Sequence, residues 1–519
     1  MQNNSDSKKP LYRRRRWWLL GVYVFLLVWS GVYRYRQPER PVSPDKKTFL
    51  LEEIDGERKL DEKIRVAYKE FPSEIENDRL PVVLIHGSPG DAEVFDGLAP
   101  FFRDRRLIAP DLPGFGDSEK DLPDYSVRAH ARYVLELMER LKIEKAHLVG
   151  FSMGGGVALE MADIAPEKVA SISMVSAIGV QEYELMGNYY INHVIHAAQL
   201  AFFWCLQELT PNFGVLQGAI PYARNFYDTD QRPLRGILKN VRMPFLIVHG
   251  EEDPLVPIEA AREHRRIVPQ SEMVPLEDNH FMIFMRPEKL RDPLGDFWNR
   301  VENGEAKTRS TAAPDRIEMA ARPFEPQIIR ARGATAFVYF LLLTAGSFVS
   351  EDAVALTAGI WTAQGRFGII FALVACLFGA FLTNFSIFLF GRLFGRKLLR
   401  SGPLKFVIKP EAVERFSLRL EKKRFRTIFL SRFFPGFRLP VYFIAGTLRK
   451  DFWKFLFGFL LSAAVRVSAL AGLSWLAAQG LIRTSLIARQ NNWSLFVPLF
   501  GAYFLIEIFL WRNFSSDRD

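Results

Sequence analysis

The sequence predicts two architectures in one chain: an α/β fold with a mostly parallel sheet and a helical cap, then an all-α polytopic membrane domain with re-entrant hairpins. Three observations carry this. Short strand-like runs alternate with helical patterns from about residue 47 to Val301. Gly150-Phe151-Ser152-Met153-Gly154 spells G-x-S-x-G between an apolar run and a helix-forming stretch. The last third concentrates much of the chain's 45 Phe and contains apolar segments interrupted by Arg and Pro.

At 519 residues the chain has room for several domains. Its net charge of +10 comes from basic residues beside apolar stretches, which is the pattern of cytoplasmic membrane flanks and argues against nucleic acid. Two cysteines, Cys205 and Cys376, fall in different expected domains, so no disulfide framework is implied.

Residues 1–46 are expected to form a basic cytoplasmic tail, a transmembrane anchor at 17–33 and a Pro-rich tether, Gln37 to Lys47. A cleavable signal peptide is the rival reading; the lack of a small-x-small site before Arg34-Tyr35-Arg36 favours an uncleaved anchor. Arg13 to Arg16 should stay cytoplasmic.

Residues 47–302 read as the α/β domain. Phe49 to Ile54 and Lys63 to Phe71 suggest an opening hairpin. Val82 to Ile85, Leu107 to Ala109, Ala146 to Val149, Ile172 to Val175 and Phe245 to Val248 suggest buried strands, with helices at Val127 to Leu141 and Gly155 to Ile164. A serine nucleophile needs a base and a carboxylate to orient it. Downstream, Asp253 follows the run Phe245 to Val248, and His280 lies in a later loop, Asp278-Asn279-His280-Phe281. Glu251 and Glu252 compete with Asp253 as the acid.

With His86-Gly87-Ser88-Pro89-Gly90 and Asp111-Leu112-Pro113-Gly114-Phe115-Gly116-Asp117-Ser118, the segment resembles the α/β-hydrolase superfamily over about 250 residues. The resemblance implies Ser152 as nucleophile, Asp253 as orienting acid, His280 as base, and the N–H groups of Ser88 and Met153 as the oxyanion hole. It implies no cofactor. His86 then reads as structural and His147 as a core histidine. His193 and His196, without a carboxylate partner, read as helix surface on the stretch Glu184 to Glu208 rather than as metal ligands.

Residues 181–236 form the insertion where that superfamily carries its cap. Tyr189, Tyr190, Phe202, Phe203 and Trp204 either line an apolar acyl pocket or bury themselves against the main domain. A serine nucleophile argues against haloalkane and epoxide chemistry and leaves ester, amide and acyl-transfer chemistry.

Residues 303–333 read as a charged, irregular linker and 334–519 as the membrane domain. Phe337 to Val349 and Ala353 to Ala363, separated by Glu351-Asp352, fit a re-entrant hairpin better than a span. Phe367 to Phe390 is 24 residues without a charge. Residues 391 to 426 hold 12 Lys or Arg against three Glu, and Phe455 to Ala478 and Ser494 to Trp511 read as further spans. Between them, Ser431-Arg432-Phe433-Phe434-Pro435-Gly436-Phe437-Arg438-Leu439-Pro440 and Ile444-Ala445-Gly446 cannot form a lipid-facing helix, so the arginines should face a cavity or partner.

That segment resembles the DedA family, also called SNARE-associated or VTT domains, over about 180 residues. The resemblance implies handling of phospholipids or polyprenyl-phosphate carriers and functional roles for Arg432, Arg438 and Asp352. The family's second acidic position falls near Phe340, and its aspartate position is Asn384, so proton coupling is not implied. Arg466, inside a span, is a candidate partner for Asp352.

Charge bias and parity place the N-terminus and the 391 to 426 loop in the cytoplasm and the hydrolase outside, with the basic linker dissenting. The expectation is a bacterial inner-membrane serine hydrolase of esterase, lipase or acyltransferase type, acting on a lipid-like acyl ester beside a lipid-handling domain. The alternative is a lipid transporter or scramblase with an accessory hydrolase fold. The expected partners are the bilayer and a lipid-like substrate, with no nucleic acid.

Overall fold

The computed structural model describes residues 15–36, 41–54, 58–185, 187–214, 218–324, 330–401, 424–432, 438–448 and 452–483. Two compact units divide the chain, Met1–Glu325 and Pro326–Asp519.

The first unit begins with helix α1 (Arg15–Arg36) and continues into eight strands. These are β1 (Lys46–Ile54), β2 (Arg58–Phe71), β3 (Val82–Ile85), β4 (Leu107–Pro110), β5 (Ala146–Phe151), β6 (Val169–Val175), β7 (Phe245–Gly250) and β8 (Glu272–Leu276). They form one sheet in the order β1-β2-β4-β3-β5-β6-β7-β8. β2 pairs antiparallel with β1 and β4, and the rest of the sheet is parallel. The architecture is that of the α/β-hydrolase fold, as the sequence predicts. β8 escaped the strand reading because it is half exposed and carries Pro275, so no continuous apolar run marks it.

Helices between the strands are α2 (Val127–Arg140), α3 (Met153–Ile164), α4 (Tyr189–Leu209), α5 (Ala219–Asp228), α6 (Arg232–Asn240) and α7 (Ile258–Ile267), with α8 (Met282–Met285), α9 (Glu288–Glu302) and α10 (Pro314–Ala321) after β8. Side-chain alternation along the strands builds two cores. Val83, Ile85, Leu148, Phe245 and Ile247 join α2, α3, α6 and α7 on one face. Val82, Leu84, Val149, Leu246 and Val248 join residues 92–102 and α9 on the other. Helix starts follow local chemistry: Ser126 caps α2 through the Ala129 N–H, and Asn188 caps α4 through the Ile191 N–H.

The linker reading needs correction. Residues 309–321 form a turn of 3-10 helix and α10, docked on the hydrolase unit. Arg266 donates to the Met319 and Arg322 carbonyls, and Arg316 donates to the Pro269 carbonyl. These arginines satisfy helix and turn carbonyls, which a charge count alone reads as solvated.

The second unit contains α11 (Gly333–Gly346), α12 (Glu351–Ala363), α13 (Ile369–Ser401), α14 (Arg424–Ser431), α15 (Arg438–Thr447) and α16 (Phe452–Arg483). α11 and α12 are short helices of 14 and 13 residues joined by a tight turn. α13 and α16 are long and apolar enough to cross a membrane, over Ile369–Gly395 and Phe452–Gln479. α12 packs on α16, and α13 on α15. Any side chain at Gly446 would overlap the Phe388 carbonyl, which is what lets the α15 and α13 backbones approach. Ser494 to Trp511, Arg13, Arg14 and most of the basic loop lie outside the described residues.

Candidate active site

Ser152 sits between β5 and α3 with φ 54° and ψ −119°. An L-residue rarely adopts such a conformation, and holding it there takes close packing on both sides of the turn. A side chain at Gly154 would overlap the Ile85 carbonyl oxygen, so glycine lets the start of α3 close on the end of β3. The turn is pinned by Ser152 N–H to the Val175 carbonyl at 3.0 Å and by Ile178 N–H to the Ser152 carbonyl at 3.1 Å. Met153 is the first residue of α3, so its N–H belongs to the amides without an intrahelical acceptor.

His280, the expected base, arrives on the loop after β8. The Glu251 N–H bonds to the Leu276 carbonyl at 2.9 Å and the Glu252 N–H to the Asp278 carbonyl at 3.0 Å, tying the two loops together. His280 Nε2 then lies 3.1 Å from Ser152 Oγ, and its Nδ1 lies 2.7 Å from Asp253 Oδ2. The second Asp253 oxygen accepts from the N–H groups of Leu255 at 2.8 Å and Val256 at 2.9 Å. Three contacts thus fix a buried carboxylate, and Glu251 and Glu252 are exposed instead. His249 Nε2 donates to the Val256 carbonyl and stands 3.6 Å from Asp253; burial holds its pKa below the ordinary value.

His86 shapes the facing loop. Its Nε2 accepts from the Leu112 N–H at 2.9 Å, so Nδ1 carries the proton and donates to the Gly87 carbonyl at 2.6 Å. Burial keeps the ring neutral by lowering its pKa. A trans peptide sets C=O and N–H on opposite sides, so pinning the Gly87 carbonyl turns the Ser88 N–H away from His86.

The D-x-P-G turn is tied down by Asp111. Its buried carboxylate accepts from Ala92 N–H, Asp117 N–H and Lys46 Nζ. His147 is a core residue, bonded to Ser171 and Glu302. His196 has a carboxylate partner after all: Glu184 Oε1 lies 2.9 Å from its Nε2. His193 stacks on Tyr227. No cluster that could hold a metal occurs among the described residues.

Three of the five cap aromatics follow neither expectation, while Tyr189 and Phe203 are half-buried. Tyr190, Phe202 and Trp204 are 69%, 59% and 57% exposed, facing outward from the hydrolase unit.

In the second unit the described residues pair charges inside apolar helices. Arg466 bonds both oxygens of Asp352, at 2.7 and 2.6 Å. Arg432 bonds Glu351, and Arg438 lies 2.9 Å from the same carboxylate. Asn384 donates to Glu351 at 2.6 Å. Glu351 is the residue that sequence reasoning missed. Adjacent helical residues point about 100° apart, so spacing to Gly359 selects Asp352 and says nothing of its neighbour.

A family model for the alpha/beta hydrolase fold matches residues 81–190, and one for the VTT domain matches residues 339–476. The chain joins an α/β-hydrolase domain to a VTT domain. With its long apolar helices, it is a membrane protein. It is 32% identical over 227 residues to the dihydrolipoyllysine-residue acetyltransferase component of an acetoin cleaving system from Pseudomonas putida, covering 40% of this chain and 59% of that one. The chain therefore spans under two thirds of that relative's length. It is 27% identical over 252 residues to the hydrolase YugF of Bacillus subtilis, covering 42% and 90%. A thermophilic esterase from Thermogutta terrifontis aligns with a TM-score of 0.39 at 20% identity, covering 49% of this chain and 99% of that one.

Proposed function

We propose that the hydrolase domain is a serine esterase or acyltransferase acting on a lipid-like acyl ester, held at a membrane by α1 and by the VTT domain. The observation that carries the reading is His280 standing between Ser152 and Asp253, within hydrogen-bond reach of both.

Ser152 Oγ attacks the ester carbonyl carbon while His280 Nε2 takes the hydroxyl proton. The electron pair moved onto the carbonyl oxygen is met by the N–H groups of Ser88 and Met153. Collapse expels the alcohol, which takes the proton from His280 and leaves the acyl group on Ser152. Water or an acceptor alcohol then attacks the acyl carbon and gives its proton to His280, which passes it to Ser152 Oγ as the acyl–Oγ bond breaks and the acyl product leaves. A relative named as a hydrolase and one named as an acetyltransferase component fit either acceptor.

An apolar substrate is supported by what surrounds the base. Phe281, Phe284, Met285 and Leu255 are exposed large hydrophobics beside His280 and Asp253. Labelling of the full chain by a fluorophosphonate probe should vanish in Ser152→Ala; equal labelling of the variant sinks the nucleophile assignment. Charge bias supports an extracytoplasmic hydrolase domain and a cytoplasmic N-terminus, which protease accessibility in oriented vesicles tests.

The buried charges favour a second reading, lipid movement by the VTT domain. Arg432 is buried, and its Nε and Nη1 have no hydrogen-bond partner among the described residues, which suits an anionic head group. In reconstituted vesicles, lipid flip unchanged by Arg432→Ala and Arg438→Ala removes this reading.

A further inference from the structure

α1 is long and apolar enough to cross a membrane over Trp18–Arg36, and only 6% of that window is buried. It touches the cap at Tyr23, Tyr33 and Arg34. Tyr23 Oη hydrogen-bonds the Leu209 carbonyl, Arg34 stands 3.6 Å from Glu208, and the ring of Tyr33 meets Phe213 edge-on at 5.4 Å. Residues 23 and 34 are about 16 Å apart along a helix, against about 28 Å for the whole window. The end of α4 therefore lies beside the spanning segment, at its depth, rather than beyond its end.

That end of α4 is built for such a place. From Leu200 the helix reads LAFFWCLQEL, without a charge until Glu208. Phe202 and Trp204 are exposed, as are Leu209 at 56% and Phe213 at 46%, a concentration of large apolar side chains of the kind that water does not tolerate uncovered. Glu208, the one charge, is answered by Arg34 of α1.

We propose that the C-terminal half of α4, with Phe213, lies in the bilayer beside α1, its outward aromatics in contact with lipid acyl chains. The cap is then a membrane-inserted element, and an ester carried in the bilayer reaches the cap side of the domain without crossing water. The surface stands on the contacts with α1; its consequence for the substrate rests on the esterase reading above.

Cys205 lies exposed on this stretch, whereas Cys376 is buried. The full-length protein, labelled at Cys205 with a bimane maleimide and reconstituted in phosphatidylcholine–phosphatidylglycerol vesicles, reports the surroundings directly. Quenching by nitroxide carried on lipid acyl chains, together with protection from aqueous iodide, is the expected result. Iodide quenching as strong as in the unfolded protein overturns the proposal. So does protection from both quenchers, since protein, either the VTT domain or a second copy, then covers the face.

A second measurement separates the surface from the chemistry. Phe202→Glu and Trp204→Glu change exposed side chains, so the fold and the hydrolysis of a soluble short-chain ester should stay at wild-type level. Hydrolysis of a long-chain ester held in vesicles should fall at least severalfold; an unchanged rate overturns the role in substrate access. Loss of soluble-ester hydrolysis from the wild type would defeat the esterase reading, while the quenching result would still decide the surface.

Discussion

Gly87 faces Ser152 so closely that a methyl group added to Gly87 would stand 2.7 Å from the Ser152 Cβ and 3.3 Å from its Oγ. The loop after β3 and the turn after β5 are thus in direct contact, and the space for a reacting carbonyl is bounded by both. The contact exists because β3 and β5 are adjacent and parallel, with Ile85 in register with Gly150.

Gly87→Ala should therefore cost activity out of proportion to stability. The loop must retreat from a backbone-anchored serine, carrying the Ser88 N–H with it, and displacement of one oxyanion donor lowers turnover by about 100-fold. Gly236→Ala, where an added methyl meets nothing within 4 Å, should leave activity unchanged. Steady-state hydrolysis of a soluble ester, with thermal unfolding of each variant, checks the pair.

Asp253→Asn keeps the shape of the carboxylate and loses its charge. The amide can then present an N–H to His280 Nδ1, which favours the wrong tautomer, and turnover should fall by about 10⁴-fold. Glu252→Gln, the adjacent residue but exposed, should change it little. If both variants lose activity equally, Asp253 is not the orienting acid.

Two buried histidines make the hydrolase unit sensitive to acid. Burial pushes His130 and His264 down to about 3, against about 6.5 in an unfolded chain. Above 6.5 neither state binds the proton and the stability is whole. As pH falls from about 6.5 toward 3 the unfolded chain takes protons that the native fold refuses, so stability falls with pH. Each site adds up to about 1.4 kcal/mol per pH unit to that slope. His130→Phe should flatten it by about one proton, read from unfolding midpoints of the full chain in detergent across pH 4 to 7. A slope identical to wild type contradicts the depressed value.

Glu351→Gln should destabilise the VTT domain more strongly than Asp352→Asn does. Glu351 answers both Arg432 and Arg438 and is buried; Asp352 answers Arg466 and is about a fifth exposed. Stripping one member from a buried ion pair costs about 3–5 kcal/mol because the remaining charge stays unpaired. The double variant Glu351→Gln with Arg432→Gln should recover part of the loss. Thermal unfolding in detergent measures the cycle, and strict additivity would mean that the pair is not coupled.

Much of the candidate site's arrangement is legible in the sequence, because local sequence constrains it. The elbow needs small residues on both sides of Ser152, and the spacing alone names them. The order Ser152, Asp253, His280 follows from loops at the ends of β5, β7 and β8, parallel strands met in that order along the chain. The failures have equally local causes. Arg316 looks solvated in sequence because its acceptors at Arg265, Val268 and Pro269 are backbone carbonyls, which carry no sequence signature. His196 looks unpartnered because Glu184 lies 12 positions away, before the helix begins.

The sequence by itself determined the two architectures, the nucleophile motif and the presence of charge within apolar segments, since these rest on periodicity, spacing and desolvation cost. Only the tertiary structure decided which charges meet and which apolar surfaces stay open. Glu351 rather than its neighbour answers Arg432, and Tyr190, Phe202 and Trp204 of the cap stay exposed rather than entering a pocket. Helical direction around an axis, and which face a neighbouring element covers, are properties of packing, so a one-dimensional pattern leaves them undetermined.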